Sequence, residues 1–322
     1  MNKLWTGLGL STVLLLGACG GNGSSGESAE DYPSKNIEIM VPYSAGGGTD
    51  ILARSFAELL KEDIDQGVAV VNREGGGGAV GMQNGVSANP DGYTVSMVTV
   101  ELLTLPQQGL ANFTYDEFRP VVQLNEDPAA ITVKADAPWD TIEEFLADAE
   151  SNVLDVGNSG SGAIWHLAAA GLAKEAGVEF NYVPYEGAAP AITALMGGHI
   201  DAVSVSPGEV ETQVEAGNLK VLGVMADERL ATHEDVPTLK EVGYDISLGT
   251  WRGLAVPTET PDEIVAQMEE YFIAVGQKDE FREEIEKLNL GYKVASGEEF
   301  LSLMESQDDL FSDLISDLGL SN

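Results

Sequence analysis

From Asn36 onward, short β-branched runs alternate with stretches of helical periodicity, and this alternation restricts the fold more than any other feature. Strands are expected near 37–42, 68–72, 94–100, 130–134, 154–158, 181–184, 202–206, 220–225 and 253–256. Helices are expected near 50–61, 79–88, 142–149, 164–176, 188–196, 209–216 and 262–275, and the stretch 279–318 reads as mostly helical with one short strand near 291–294. Such a rhythm implies an α/β chain whose mostly parallel sheet is flanked by helices. Two apolar stretches, 124–134 and 251–257, are able to carry the chain between lobes, which gives a two-lobed molecule with a ligand cleft between them. The expected division places 32–128 plus 252–322 in lobe 1 and 129–251 in lobe 2. One continuous nine-strand sheet is the other arrangement this pattern allows.

Charge narrows the partners. Sixteen Lys and Arg face 53 Asp and Glu over 322 residues, a net charge of −37, so a ligand bound chiefly through phosphates meets a repelling field. No nucleic-acid partner is expected. The acid excess suits either strong brine or an ordinary acidic exoprotein. Cys19 is the only cysteine, which excludes an intramolecular disulfide and a zinc site of several thiolates. Lys3, an apolar run over 8–16 and then Gly17-Ala18-Cys19 read as a secretory signal, far short of the ~20 apolar residues of a spanning helix. The string L-L-G-A-C resembles a bacterial lipobox, which makes 1–18 a lipoprotein signal peptide and Cys19 the lipidated residue. A flexible, Gly/Ser-rich tether over 19–31 follows. A plain signal peptide with an incidental cysteine is the alternative.

Two glycine turns are candidate anion sites. In V-P-Y-S-A-G-G-G-T-D (41–50) a strand runs through Ser44, Ala45, Gly46, Gly47 and Gly48 into a helix bearing Leu52, Phe56, Leu59 and Leu60 on one face. Free amides and the positive end of a helix dipole favour an anion there, with Thr49 or Asp50 as N-cap. A tight turn with no guest is the competing interpretation. The second turn, G-N-S-G-S-G (157–162), adds the hydroxyls of Ser159 and Ser161 to amides around Asn158, Gly160 and Gly162. Loops 185–190 and 206–209 leave strand ends on the same expected rim, where ligands of open α/β sheets bind. Arg54 follows Asp50 by four residues, the spacing of a structural ion pair. Arg73 and Arg252 would neutralise either a guest carboxylate or a neighbouring acid. Asp201 opens a strand after Gly197-Gly198-His199 and is either a cleft residue or part of a loop turn.

Enzyme patterns are incomplete. The run 157–161 has serine where the last glycine of a G-x-S-x-G elbow belongs, and His166 on the following helix reads as a capping or packing residue. Gly76, Gly78 and Gly81, with Glu101 twenty residues on, match a dinucleotide fingerprint in letters. However, Asn72 to Gly75 lie between the apolar run 68–71 and the motif, and the following helix is short and interrupted by Gly85. The expectation is therefore no catalytic residues, no metal and no cofactor.

In order along the chain, Y-P-S-K-N-I-E-I-M-V-P-Y-S-A-G-G-G-T-D-I-L-A-R (32–54), V-V-N-R-E-G-G-G-G-A-V-G (70–81), N-P-D-G-Y-T (89–94), H-L-A-A (166–169), V-P-Y-E-G-A-A-P-A-I-T-A-L-M-G-G-H-I-D (183–201), V-P-T-L-K-E-V-G-Y (236–244) and W-R-G-L-A-V-P-T-E-T-P (251–261) carry a resemblance. It is to the substrate-binding proteins of tripartite tricarboxylate transporters, the Bug/TctC family. The resemblance implies a periplasmic-binding-protein fold that closes on a small organic carboxylate and hands it to an integral membrane permease. It also implies that the loops Ser44–Asp50 and Asn158–Gly162 hold one carboxylate through amides, hydroxyls and water, with Thr99 and Asp201 as further contacts. The lipobox departs from the family's soluble members and points to attachment by an N-terminal lipid on the extracytoplasmic side. A carboxylate-binding sensory or scavenging lipoprotein without a transporter is the competing class. Dinucleotide-binding and serine-hydrolase enzymes rank below both. If Cys19 is lipidated, Cys19→Ala moves the protein from the membrane fraction to the soluble fraction. An unmodified N-terminus, or cleavage elsewhere by mass spectrometry, would overturn that assignment.

Overall fold

The computed structural model describes residues 32–321 except 44 and 186, so Cys19 and Ser44 lie outside the described residues. Two sheets organise the chain. The first contains β1 (Ile37–Val41), β2 (Val68–Asn72), β3 (Thr94–Thr99), β4 (Phe118–Pro128), β10 (Gly249–Pro257) and β11 (Tyr292–Ser296), in the order β11-β4-β10-β3-β1-β2. The second contains β5 (Ala130–Lys134), β6 (Leu154–Asn158), β7 (Phe180–Pro184), β8 (Ala202–Val205) and β9 (Leu219–Val224), in the order β7-β6-β8-β5-β9. Helices α1 (Gly48–Asp63), α2 (Ala79–Val86) and α3 (Glu101–Gln107) follow the first three strands. Four more, α4 (Ile142–Ala149), α5 (Ile164–Ala176), α6 (Ala188–Met196) and α7 (Pro207–Glu215), alternate with the strands of the second sheet. Three, α8 (Asp262–Gly276), α9 (Asp279–Lys287) and α10 (Gly297–Asp317), return to the first.

Both sheets are mixed rather than mostly parallel. β1 is parallel to β2 and β3, and β6 is parallel to β7 and β8. The strands that carry the chain between sheets, β4 into β5 and later β10, run antiparallel to their neighbours. β4 passes into β5 with only Ala129 between them, so each sheet receives a strand that no βαβ unit of its own supplies, and alternation alone does not encode its direction.

The two crossings meet at Ala129. Its N–H donates to Leu248 O at 2.8 Å, and its carbonyl accepts from Met225 N–H at 2.7 Å. β10 begins at Gly249, paired with Pro128, so residues 249–251 belong to the first sheet. Glycine is required there because a Cβ would lie 2.6 Å from Pro128 Cα and collide with the Asp127 carbonyl oxygen.

The cores explain why these segments fold as they do. On one face of the first sheet, Leu52, Phe56 and Leu60 of α1 meet α8 and α9, with Phe56 edge-on to Phe272 at 5.4 Å and to Phe281 at 5.8 Å. On the other face, α10 runs from the first sheet to α5, a helix packed on the second sheet. Trp251 stacks edge-on with Phe300 at 5.0 Å and donates its indole N–H to Gln307 Oε1 at 2.8 Å, both groups buried. Farther along α10, Leu314 packs beside Gly171 of α5, and Asp317 pairs with Lys174 at 2.7 Å. A single buried cluster therefore joins Trp251, Phe300, Met304 and Leu314 to Trp165 and Leu167.

Among the described residues, Gln307 is the acceptor of the buried Trp251 indole N–H, and removing it leaves that donor desolvated and unpaired. Gln307→Leu is expected to lower stability by about 1–3 kcal/mol in denaturant titrations. A change within the ~0.5 kcal/mol typical of neutral surface substitutions would contradict the assignment.

Candidate functional site

Both sheets turn strand ends toward the region between them. After β1 the chain passes through Pro42 and Tyr43 into an exposed turn, 45–48, and then into α1, where Thr49 and Asp50 are buried. The N-cap is Gly47, without a capping side chain, so Thr49 and Asp50 occupy the first turn rather than the cap position expected from the sequence.

Asp50 works from behind the turn. Its Oδ2 accepts from Gly46 N–H at 2.8 Å and from Arg54 Nε at 2.9 Å. Its Oδ1 accepts from Arg54 Nη2 at 2.8 Å and from Asn72 Nδ2 at 2.8 Å. Asn72 Nδ2 also reaches Tyr43 O at 2.9 Å. Burial pushes the Asp50 carboxyl up, but Arg54, the Gly46 amide and Asn72 together outweigh it and hold the pKa at about 2. The carboxylate is fully committed to the protein. The N–H groups that head α1, from Gly48 to Asp50, have no acceptor among the described residues.

Behind α1 lies a polar cluster on β3, β10 and β4, where Thr99, Arg252 and Asn125 are register neighbours. Arg252 donates from Nε to Thr49 Oγ1 at 3.1 Å, and from Nη1 to Asp127 Oδ2 at 2.7 Å and to Asn125 Oδ1. Asp127 Oδ1 in turn accepts from Gly291 N–H at 2.6 Å. Thr99 is buried and bonds to the Tyr43 hydroxyl at 2.8 Å, and that hydroxyl donates to Glu101 at 3.0 Å. Burial first, and Glu101 second, push the Tyr43 hydroxyl well above its ordinary pKa, so it stays protonated.

The second glycine turn closes on itself. Asn158 Oδ1 accepts from Gly160 N–H at 3.0 Å, and His166 Nδ1 accepts from Gly162 N–H at 2.9 Å. Burial lowers the His166 pKa, which keeps the ring neutral with its proton on Nε2. Asn158 Nδ2 and His166 Nε2 are buried and have no hydrogen-bond partner among the described residues. Positive φ at Gly160 and Gly162 shapes the turn. Gln108, at the end of α3, donates to Gly162 O at 3.3 Å and so ties the first-sheet side to this turn. Near α7, Ser206 and Glu209 form a capping box, and Gly208 lies so close to the Asn289 carbonyl that a Cβ would collide.

The structure does not bring Asp201 to these residues. Its Oδ2 accepts from Asp155 N–H at 2.8 Å and its N–H donates to Asp155 O, at the start of β6, whereas Asn158 ends that strand. Tyr43, Glu101, Asn125 and Asp127 were missed as site residues. The detectable signal was Asn125 and Asp127 at alternate positions within an otherwise apolar strand. A cavity of about 700 Å³ opens beyond Asp127, between Gly208, the loop Ala226–His233 and Asn289–Lys293, and touches neither glycine turn. Among the described residues, no cluster of three or more His, Cys, Asp or Glu could hold a metal, and no helix is long and apolar enough to cross a membrane.

Because Asp50 titrates below its ordinary value, the stability it supplies is complete above about pH 4 and is lost as pH falls through about 2. Asp50→Asn is expected to cost on the order of 2 kcal/mol at pH 7 and to flatten the acid limb of the stability profile. An unchanged acid limb would contradict the bracing role.

A family model described as the tripartite tricarboxylate transporter family receptor matches residues 52–320. The "UPF0065 protein in gbd 5' region" of Cupriavidus necator is 32% identical over 265 residues, 81% of each chain. A ligand-free TctC solute-binding protein from Polaromonas is 46% identical with a TM-score of 0.85, covering 89% of this chain and 99% of that one. Two Rhodopseudomonas palustris proteins share the fold at 24% identity each. Rpa3494, with bound malate, has a TM-score of 0.69 and covers 88% of this chain and 100% of its own. Rpa4515, with adipate, has a TM-score of 0.74 and covers 90% and 99%. With the family model spanning most of the chain and a 46% identical structure superposing on nearly all the described fold, this chain belongs to the tripartite tricarboxylate transporter receptor family of extracytoplasmic solute-binding proteins.

Proposed function

We propose that the protein captures a small organic carboxylate between its lobes, with the head of α1 as the principal anion site. One observation carries this reading. Among the described residues, the first-turn N–H groups of α1 have no acceptor, while Asp50 is spent on Gly46, Arg54 and Asn72. In the proposed complex, residues 45–49 and Asn158–Gly162 face the ligand from opposite lobes, one built on each sheet. Asn158 Nδ2 and the hydroxyls of Ser159 and Ser161 supply donors on the second side. Malate and adipate in the Rhodopseudomonas palustris structures support a dicarboxylate as the first ligand class to test. The role in this reading is binding without turnover, and family membership supports delivery to a membrane permease of the tripartite type. Anchoring through a lipidated Cys19 is part of the same proposal, and a sensory or scavenging lipoprotein is its competitor. A permease encoded beside the gene favours delivery.

Gly46 and Gly160 adopt φ of +85° and +136°, values a β-branched residue resists, whereas Gly47 has an ordinary φ of −81°. Gly46→Val and Gly160→Val are therefore expected to weaken carboxylate binding about tenfold or more, a loss of ~1.4 kcal/mol, with Gly47→Ala affected least. The measurement is a thermal-shift and calorimetric titration with organic acids. A panel of acids that raises Tm no more than matched neutral amides would overturn the carboxylate reading.

A further inference from the structure

The two arginines near the α1 turn are bound in different ways. Arg54 meets Asp50 side-on, through Nε and Nη2, the two-point geometry of a structural pair. Arg252 is only 15% exposed at its side chain, more buried than any other lysine or arginine in a described ion pair, yet it meets Asp127 through Nη1 alone. The other Asp127 oxygen is taken by Gly291 N–H, and Arg252 Nε is turned to Thr49. Nη2, with two N–H donors, has no acceptor among the described residues. It ends beside the first residue of α1, 3.9 Å from where a Cβ on Gly48 would stand. A guanidinium end and the positive end of a helix thus lie side by side, each with unused donors. That placement is unfavourable unless an anion lies between them.

We propose that Arg252 is the specificity-determining cation of the cleft: its Nη2 donates to the same carboxylate that the head of α1 holds, and this pairing selects a carboxylate over the isosteric carboxamide. The inference rests on the carboxylate reading above. A charged donor next to amide donors rewards a full negative charge on the guest, whereas amides alone accept a carboxamide oxygen nearly as well.

The test is calorimetric titration of the wild type, Arg252→Gln, Arg252→Lys and the double variant Arg252→Gln/Asp127→Asn. The probes are acetate, succinate, malate, adipate and citrate, with the matching amide of each acid that binds. Arg252→Gln is expected to weaken the acids about tenfold or more while amide affinity stays within about threefold, so acid-over-amide selection collapses. Arg252→Lys keeps part of it. The double variant removes both buried charges together, so it retains the fold if the single variant does not, and it shows the same loss of selection. Equal weakening of acid and amide, or unchanged selection in the Gln or double variant, would overturn the inference and leave carboxylate binding standing. A wild type that takes none of the acids would overturn both.

Discussion

The Asp50 carboxylate fixes the geometry on which the cleft side of the first sheet depends. It joins the turn through Gly46, the helix through Arg54 and the second strand through Asn72, and Asn72 passes the tie to the Tyr43 carbonyl. An exposed glycine turn has many backbone conformations, and holding one of them costs about 1–2 kcal/mol per residue in entropy. A buried carboxylate with four donors provides that restraint without occupying the first-turn amides of α1. The same group would be a competitor for the anion site if it faced forward. Its position behind the turn makes the head of α1 both rigid and open.

A second layer of organisation comes from the polar residues of β4. Asn125 and Asp127 are both buried, two residues apart on one strand and paired with Arg252 and Thr250, so they share a face. Asn125 and Asp127 hold Arg252 on one side and the Gly291 backbone on the other. The strand that leads out of the first sheet therefore also positions its buried cation. In the proposed pairing, charge on the guest, placement of Arg252 and the path of the crossing strand are linked through two side chains. The arginine deficit of the sequence is then no obstacle, because a single guanidinium beside a helix head supplies local positive charge where bulk basicity is absent.

Much of the fold was legible because apolar periodicity reports burial. β2, β5, β6, α4, α5 and α6 carry the bounds expected from their patterns. β4 was read only from residue 124 because Pro120, Arg119 and the polar residues at 123, 125 and 127 break the apolar signal in a strand that is nevertheless almost wholly buried. α3 went unread since Glu101-Leu102-Leu103-Thr104-Leu105 with Pro106 has no helical period of its own. Within the site, the glycine turns were visible as local strings, and the Asp50–Arg54 pair as a spacing. The partners that complete them, Asn72 for Asp50 and Asp127 for Arg252, lie 22 and 125 residues away and become neighbours only when sheet order is known. Asp201 shows the converse limit. Strand register places it beside Asp155, at the end of β6 opposite Asn158, and no local pattern distinguishes the two ends of a strand.

The path of α10 bears on how the lobes can move. Two covalent crossings at Ala129 and Leu248–Gly249 alone would leave the lobes free to hinge about a narrow line. The helix adds a third connection, anchored on the first sheet by Phe300 and Gln307 against Trp251, and on α5 by Leu314 and the Lys174–Asp317 pair. These two ends differ in kind. The Trp251 end is dry, buried and edge-stacked, whereas the Lys174–Asp317 pair is half exposed and contributes little by itself. Opening should therefore proceed by sliding or release at the α5 end, with the Trp251 end as the fixed point. The Gln108–Gly162 contact lies on the same side as that movable end, since Leu320, just past α10, also packs against Gly162. A ligand that draws the second glycine turn toward the head of α1 would thus tighten the α10–α5 contact at the same time.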